Sequence, residues 1–412
     1  MTRGKTPLLE RPGLRPASPR VFLRDLEPAS FSNALIGTVF TVTGPVAVIL
    51  AVGRTGGLST AQLASWLFGV FFFGGVLTIL ASLLYRQPLG FAFTIPGTVL
   101  VGTALTHLSW PEVVGAFFAT AALMLLLGLS GLVRTVMSAI PLPVVMAMVA
   151  GVFLKFGTDL VASGQSDPGL VLPMILAFVL LTALPRLGRF LPPVLGALLV
   201  GAAAVALSGR FRLQSAGDWF AAPVLTTPVF SPQALLELVV PLAITVLVVQ
   251  NGQGTAVLTA AGHRPPVNVC AVVCGLFSFA NASVGGVSAC LTGPTNAILT
   301  SSGEERKHYS AAVLYGVLLV VFGLFAPGFA ALMLAAPPSF ILALGGIAMF
   351  RSLQQAFVAA FRTDFTLSAL VTFVVTVSGL SVANIGSAFW GLLLGFAVSW
   401  TMERGDHGRE NT

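Results

Sequence analysis

Apolar residues run in blocks of about 18–22 along most of the chain, and short polar or glycine-rich breaks separate them. Blocks of that length cross a bilayer as helices. Fourteen membrane segments are predicted, near 31–52, 62–84, 88–106, 112–132, 141–160, 169–184, 192–207, 234–256, 267–283, 287–301, 309–333, 339–360, 365–380 and 384–402. The longest polar interruption, 208–233, carries Arg210, Arg212, Asp218 and Trp219 and divides the chain into seven segments and seven. An odd number per half makes the halves enter the membrane from opposite sides, the arithmetic of an inverted repeat. The expected organisation is a tail over 1–30, a first repeat over 31–207, an external connector over 208–233, a second repeat over 234–402 and a tail over 403–412.

Segments 3 and 10 are too short to span as continuous helices. Segment 3 reads "FTIPGTVL", with Thr94 two residues before Pro96; segment 10 reads "CLTGPTNAI", with Thr292 two before Pro294. Proline suits the first turn of a helix, and Thr94, Thr292 or Gly293 could cap it. Each segment is therefore expected to be an extended stretch followed by a half-helix that starts at mid-membrane. The two N-termini would face each other there and offer an anion unpaired N–H groups and partial positive charge. Irregular backbone at this depth belongs where it lines a cavity or is buried in protein. Segment 1 has Thr43 in "TVTGPVAV" at the repeat position of "QNGQGTAV" in segment 8. There Gln250 and Asn251 are expected to bind substrate, while Gly252 and Gly254 allow close backbone approach. Helix-to-helix hydrogen bonding by these amides is the plainer alternative.

Composition narrows the class. Of 412 residues, 56% are hydrophobic and only 8% charged, too few charges to cover a water-soluble protein of this size. The net charge of +7 does not point to nucleic acid, because the bases lie beside membrane segments. With both termini cytoplasmic, sixteen bases fall inside: Arg3, Lys5, Arg11, Arg15, Arg20 and Arg24 of the tail, then Arg86, Arg134, Arg186, Arg189, Arg264, Arg306, Lys307, Arg362, Arg404 and Arg409. Arg54, Lys155, Arg210 and Arg212 fall outside and Arg351 within a span, the bias that the positive-inside rule expects. The tail lacks an early apolar core and does not read as a cleaved signal peptide. Cys270, Cys274 and Cys290 read as small packing residues, and no metal site or cofactor is expected. With neither H-E-x-x-H nor paired mid-membrane acids, the chain does not read as an enzyme. Of the fourteen acids, twelve fall in tails, loops or segment ends, while Glu237 enters segment 8 by about one turn and Asp159 lies near the outer end of segment 5. Lys155 and Asp159 are four apart on one helical face, and both they and Arg351 read as structural.

The stretches "GLSTAQLASWLFGV…LYRQPLGFAFTIPG" (57–97), "GLSGLVRTVMSAIPLPVVMAMVAGVFLKFG" (128–157) and "VVQNGQGTAVLTAAGHRPPVN" (248–268) resemble the benzoate–proton symporter (BenE) family. Val287 and Cys290 stand where the family pattern has His and Asn. The resemblance implies the all-α inverted-repeat fold shared with nucleobase and sulfate permeases. It implies a core of segments 1–4 and 8–11 that carries the site, a gate of segments 5–7 and 12–14, and alternating access by motion of one against the other. It also implies a bacterial cytoplasmic (inner) membrane location, and fold relatives suggest a homodimer. Together the residues and the resemblance predict a secondary active carrier for a small organic anion, most plausibly an aromatic carboxylate taken up with protons. A same-fold exchanger or channel is the alternative. The expected substrate-binding set is Thr43, Thr94, Pro96, Gly97, Gln250, Asn251, Gly252, Thr292, Gly293, Pro294 and Thr295, with backbone N–H groups near Gly97 and Thr295 on the carboxylate.

Overall fold

Proline sets the start of most helices in this chain. Pro28, Pro96, Pro168, Pro193, Pro294 and Pro338 all lie in first turns, where the missing N–H has no intrahelical acceptor to lose. The computed structural model describes residues 9–184, 188, 191–212, 219–362 and 364–408. Arg3, Lys5, Arg186, Arg189, Asp218 and Arg409 lie outside the described residues.

Among the described residues, seven helices are long and apolar enough to cross a membrane: Pro28–Thr55, Thr60–Tyr85, Trp110–Ser130, Leu142–Ser166, Pro232–Ala260, Glu305–Leu324 and Pro338–Phe361. They fall on segments 1, 2, 4, 5, 8, 11 and 12. Shorter apolar helices supply the others: Pro168–Ala183 (6), Pro193–Leu207 (7), Val267–Ser283 (9), Thr366–Val377 (13) and Ser387–Thr401 (14). Segments 3 and 10 are strand-plus-half-helix elements. Strand β1 (Phe91–Phe93) leads to helix Ile95–Ala104, and strand β2 (Ala289–Leu291) to helix Gly293–Leu299. The strands pair antiparallel, Phe91 with Leu291, Ala92 with Cys290 and Phe93 with Ala289. The pairing satisfies the backbone groups that face each other, and side chains satisfy the outer edges, Thr78 accepting the Phe91 N–H, Ser278 the Ala289 N–H and Asn251 the Leu291 N–H, as a membrane interior demands.

Segment 11 departs from the expected continuous span over 309–333. Its helix ends at Leu324 and a second, Ala326–Leu334, starts around Pro327, because a proline inside a helix removes a hydrogen bond and clashes with the preceding turn. The residues before segment 1 are docked rather than trailing. The Glu10 carboxylate accepts the N–H groups of Asn268 and Val269 at the start of segment 9. Asp25 accepts from Arg86 at 2.9 Å and from the Tyr309 hydroxyl at 2.8 Å.

The packing repeats under exchange of the two halves. Segment 4 lies on 9 as segment 11 lies on 2, and 8 meets 4 as 1 meets 11. Segment 6 pairs with 7 as 13 pairs with 14, and 1 meets 12 as 8 meets 5. β1 and β2 pair with each other. This is the 7+7 inverted repeat expressed in helix packing. Close approaches hold the segments around the strands. A Cβ on Gly254 of segment 8 would stand 2.7 Å from the Leu291 carbonyl of β2, and one on Gly44 of segment 1 would stand 2.9 Å from Ala348 Cβ of segment 12.

Candidate functional site

The strand-to-helix junctions open on a cavity of about 70 Å³. Segment 1 contributes Phe40, Thr41 and Pro45; β1 and its junction contribute Ala92, Phe93, Ile95 and Pro96. Segment 5 contributes Met146, Val149 and Phe153, segment 8 Val249, Gln250 and Gln253, segment 10 Thr292, Pro294 and Thr295, and segment 12 Ser352 and Gln355. Three aromatic rings and a ring of neutral amides and hydroxyls thus face one space. Among the described residues, none lining it is ionisable.

Gln250 owes its position to the backbone. Segment 8 carries two π-helical turns, Leu235–Val239 and Thr245–Gln250. Such turns insert a residue and rotate the rest of the helix beyond them, and they recur at functional sites. Gln250 is buried and its side chain has no hydrogen-bond partner among the described residues. Gln253 lies three residues on, on the same face. Asn251 points elsewhere. Its Oδ1 accepts the Leu291 N–H at 2.8 Å, and Cys274 Sγ lies 3.9 Å from the amide. Asn251 therefore ties segment 8 to the edge of β2. Gly252 lies away from the cavity, with Met137 Cε the nearest atom to an added Cβ at 3.5 Å. Thr43 is turned back on its own helix and donates to the Val39 carbonyl.

The two half-helix starts are not equivalent. Thr94 Oγ1 accepts the Gly97 N–H at 3.1 Å and donates to Thr245 Oγ1 at 3.0 Å. This is an N-cap, and it occupies the N–H group that sequence reasoning offered to a substrate carboxylate. Thr94 itself is fully buried behind the cavity wall. Thr292 makes no such cap. Among the described residues its buried hydroxyl has no hydrogen-bond partner, and the N–H groups of Gly293 and Thr295 have no acceptor. Gly293 packs against Gln253, 2.8 Å from its Cβ for an added side chain. Nearby Asn296 donates to the Gly90 carbonyl and accepts the Gly90 N–H, fixing the start of β1 to the second half-helix. Pro96, Gln250, Thr292, Pro294 and Thr295 thus meet at the cavity, whereas Thr43, Thr94, Gly97, Asn251, Gly252 and Gly293 build its surroundings.

Sequence reasoning missed Gln253, the aromatic wall and the segment 12 polar pair. Gln253 had a signal, its i, i+3 relation to Gln250. The rings of Phe40, Phe93 and Phe153 had none, since apolar residues at such positions look like any lipid-facing side chain.

A second cavity, of about 270 Å³, lies along segments 1, 3, 5 and 12 and the turn before segment 14. Phe153 lines the first and Phe156 the second, three residues apart on one helix. Lys155 and Asp159 face this second space, paired at 3.1 Å as their spacing predicted. His107 lines it too, with Nε2 2.8 Å from Glu237 Oε2.

The sequence pattern of the benzoate membrane transport protein (BenE) family matches residues 24–401. The inner membrane protein YdcO of Escherichia coli (strain K12) is 32% identical over 372 residues, 89% of this chain and 93% of that protein. A benzoate membrane transport protein of Acinetobacter baylyi is 26% identical over 366 residues, 87% of this chain and 91% of that one. Among solved structures, the transmembrane domain of a cyanobacterium bicarbonate transporter, BicA, superposes with a TM-score of 0.63 at 16% identity, covering 92% of this chain and 99% of that one. The murine Solute Carrier 26 family member A9 anion transporter, in its inward-facing state, gives 0.60 at 13% identity, covering 96% and 74%. These two likenesses show the fold.

Proposed function

Because the chain belongs to the benzoate membrane transport protein (BenE) family, and so is a multi-pass membrane transporter and not an enzyme, we propose that it takes up benzoate or a similar aromatic carboxylate together with protons. The observation that carries this reading is the cavity itself, uncharged, aromatic on one side and lined by amides and hydroxyls on the other. Phe40, Phe93 and Phe153 would hold a ring by apolar contact and stacking. Gln250, Gln253, Thr292 and Thr295 would hold the carboxyl group. Asn251 and Thr94 would act indirectly, by fixing segment 8 to β2 and by capping the first half-helix.

The cavity of about 70 Å³ is small beside ligand pockets, which run to roughly 300–1,000 Å³. It must widen to take a ring. Alternating access supplies that motion: segments 1–4 and 8–11 act as the core, 5–7 and 12–14 as the gate, and the cavity is the seam between them. In this reading the cavity of about 270 Å³, which Phe156 lines three residues from Phe153 on the same helix, would serve as the approach from one face. We place both termini in the cytoplasm and the protein, as a homodimer, in a bacterial inner membrane, in keeping with the name of the E. coli relative.

The small cavity also favours a second reading, a permease or exchanger for a smaller anion on the same fold. Uptake by purified protein in proteoliposomes separates the readings, with labelled benzoate and small inorganic anions as substrates. Gln250→Ala and Thr292→Val are expected to cut benzoate uptake. If both leave the transport of every tested anion unchanged, the site is elsewhere.

A further inference from the structure

Where the coupling proton sits can be argued from the groups the cavity lacks, resting on the proposal that it takes a carboxylate. Its polar groups are the amides of Gln250, Gln253 and Gln355 and the hydroxyls of Thr41, Thr292 and Thr295, with Ser352 beside them. Titratable and charged groups on the surrounding elements are turned away or engaged. On segment 11, Tyr315 is buried and engaged, its hydroxyl 3.0 Å from Thr41 Oγ1 and bonded also to Thr295. Cys290 is buried within β2. Arg351 precedes Ser352 on segment 12 and faces outward. His107, Lys155 and Asp159 line the neighbouring cavity, where His107 is held by Glu237 and Lys155 by Asp159.

A carboxylate placed here would be a buried charge with no counter-charge, which is strongly unfavourable. The half-helix starts offset this only in part. Thr94 closes the first by accepting the Gly97 N–H, and the open Gly293 and Thr295 N–H groups of the second belong to a helix of seven residues, whose dipole is short. The hydrogen-bond inventory points the same way. A carboxylate only accepts, so it can use the N–H₂ of each glutamine but is repelled by the glutamine carbonyl beside it. A carboxylic acid donates one bond and accepts another, and a primary amide matches it with both groups at once. The unpartnered hydroxyl of Thr292 can likewise donate to or accept from the acid.

We propose that the transporter carries its substrate as the protonated acid, so that the coupling proton rides on the substrate's own carboxyl group and not on a protein side chain. At one face the carboxylate takes a proton from water and becomes R–COOH. It crosses in the uncharged cavity and returns the proton to water at the other face. One proton moves per carboxylate, and no net charge moves. A carboxylic acid of ordinary pKa near 4 is protonated to about one part in 10³ at neutral pH, so uptake must rise as the supplying side is acidified.

The test uses the intact protein in proteoliposomes, with protein-free vesicles as the baseline, and varies the substrate. Ring-fluorinated benzoates keep nearly the shape of benzoate and have a more acidic carboxyl. At fixed external pH, the KM for total substrate is expected to rise about tenfold for each unit by which substrate pKa falls, while KM recalculated for the neutral acid stays constant. Benzamide, which cannot ionise, should compete with benzoate. Benzenesulfonate, always an anion in this range, should neither compete nor cross. A KM independent of substrate pKa, or saturable uptake of benzenesulfonate, overturns the proposal while leaving the carboxylate reading intact. Absence of saturable uptake of any benzoate at any pH removes the carboxylate reading and this inference with it.

Discussion

The amide of Gln250 faces the cavity without a protein partner, and that of Asn251, one residue on, accepts the Leu291 N–H at 2.8 Å. Successive residues on a helix point about 100° apart, so adjacent amides reach different neighbours. Their substitution should separate accordingly. Gln250→Ala removes an amide that has no protein partner among the described residues and that we propose bonds the substrate. It is expected to raise KM for benzoate by about tenfold, the worth of one net hydrogen bond, with an unchanged melting temperature in detergent. Asn251→Ala leaves a buried N–H unsatisfied and should cost about 1–3 kcal/mol of stability, seen as a lower melting temperature whether or not substrate is present. Equal losses of stability in the two variants would contradict the assignment. Both residues stood out in the sequence as polar groups in an apolar run. Which one faced the cavity was not legible, because the π-helical turn ending at Gln250 shifts the facing of the helix by an amount no periodicity announces.

At the scale of elements, the two half-helices make the sharpest contrast. Both begin with threonine two residues before proline, but only Thr94 caps. Thr94→Val is expected to destabilise the protein by about 1–2 kcal/mol through loss of the cap and of the Thr245 contact. Thr292→Val should leave stability within about 0.5 kcal/mol, since its hydroxyl has no partner among the described residues, yet reduce uptake. Thermal denaturation and initial uptake rates on the same preparations check both. The half-helices were legible because Thr94–Pro96 and Thr292–Pro294 recur at the repeat spacing. The pairing of β1 with β2 was not, because an antiparallel pair of three residues each, from distant parts of the chain, leaves no periodic trace. The break at Phe325 was marked by Pro327, though an otherwise unbroken apolar run concealed it.

At the scale of the whole molecule, the fourteen apolar blocks and their odd split contained the inverted repeat. The walls of the cavity did not show, because six segments contribute to it and no local pattern says which face of each turns inward. Outside the membrane segments, the turn between segments 8 and 9 is fixed to segment 11 by His263, whose Nε2 lies 3.2 Å from His308 Nδ1. Burial, reinforced by the neighbouring His308, pushes His263 down to about 4. The unfolded chain therefore binds more protons than the folded one between that value and about 6.5. Stability from this site is complete above about pH 6.5 and is lost as pH falls toward 4, by roughly 2–3 kcal/mol. His263→Gln should flatten that part of the profile, measured as melting temperature against pH. An unchanged slope would show that other groups set it.

The central claim is that an uncharged, aromatic-walled cavity between the two half-helices carries an aromatic carboxylate with a proton. Its most direct test is the initial rate of labelled benzoate uptake into proteoliposomes near neutral pH, with and without an inward proton gradient, above the rate in protein-free vesicles. The expected result is a saturable, protein-dependent rate that the gradient increases and Gln250→Ala diminishes. A rate equal to that of protein-free vesicles, or one indifferent to the gradient, would contradict it.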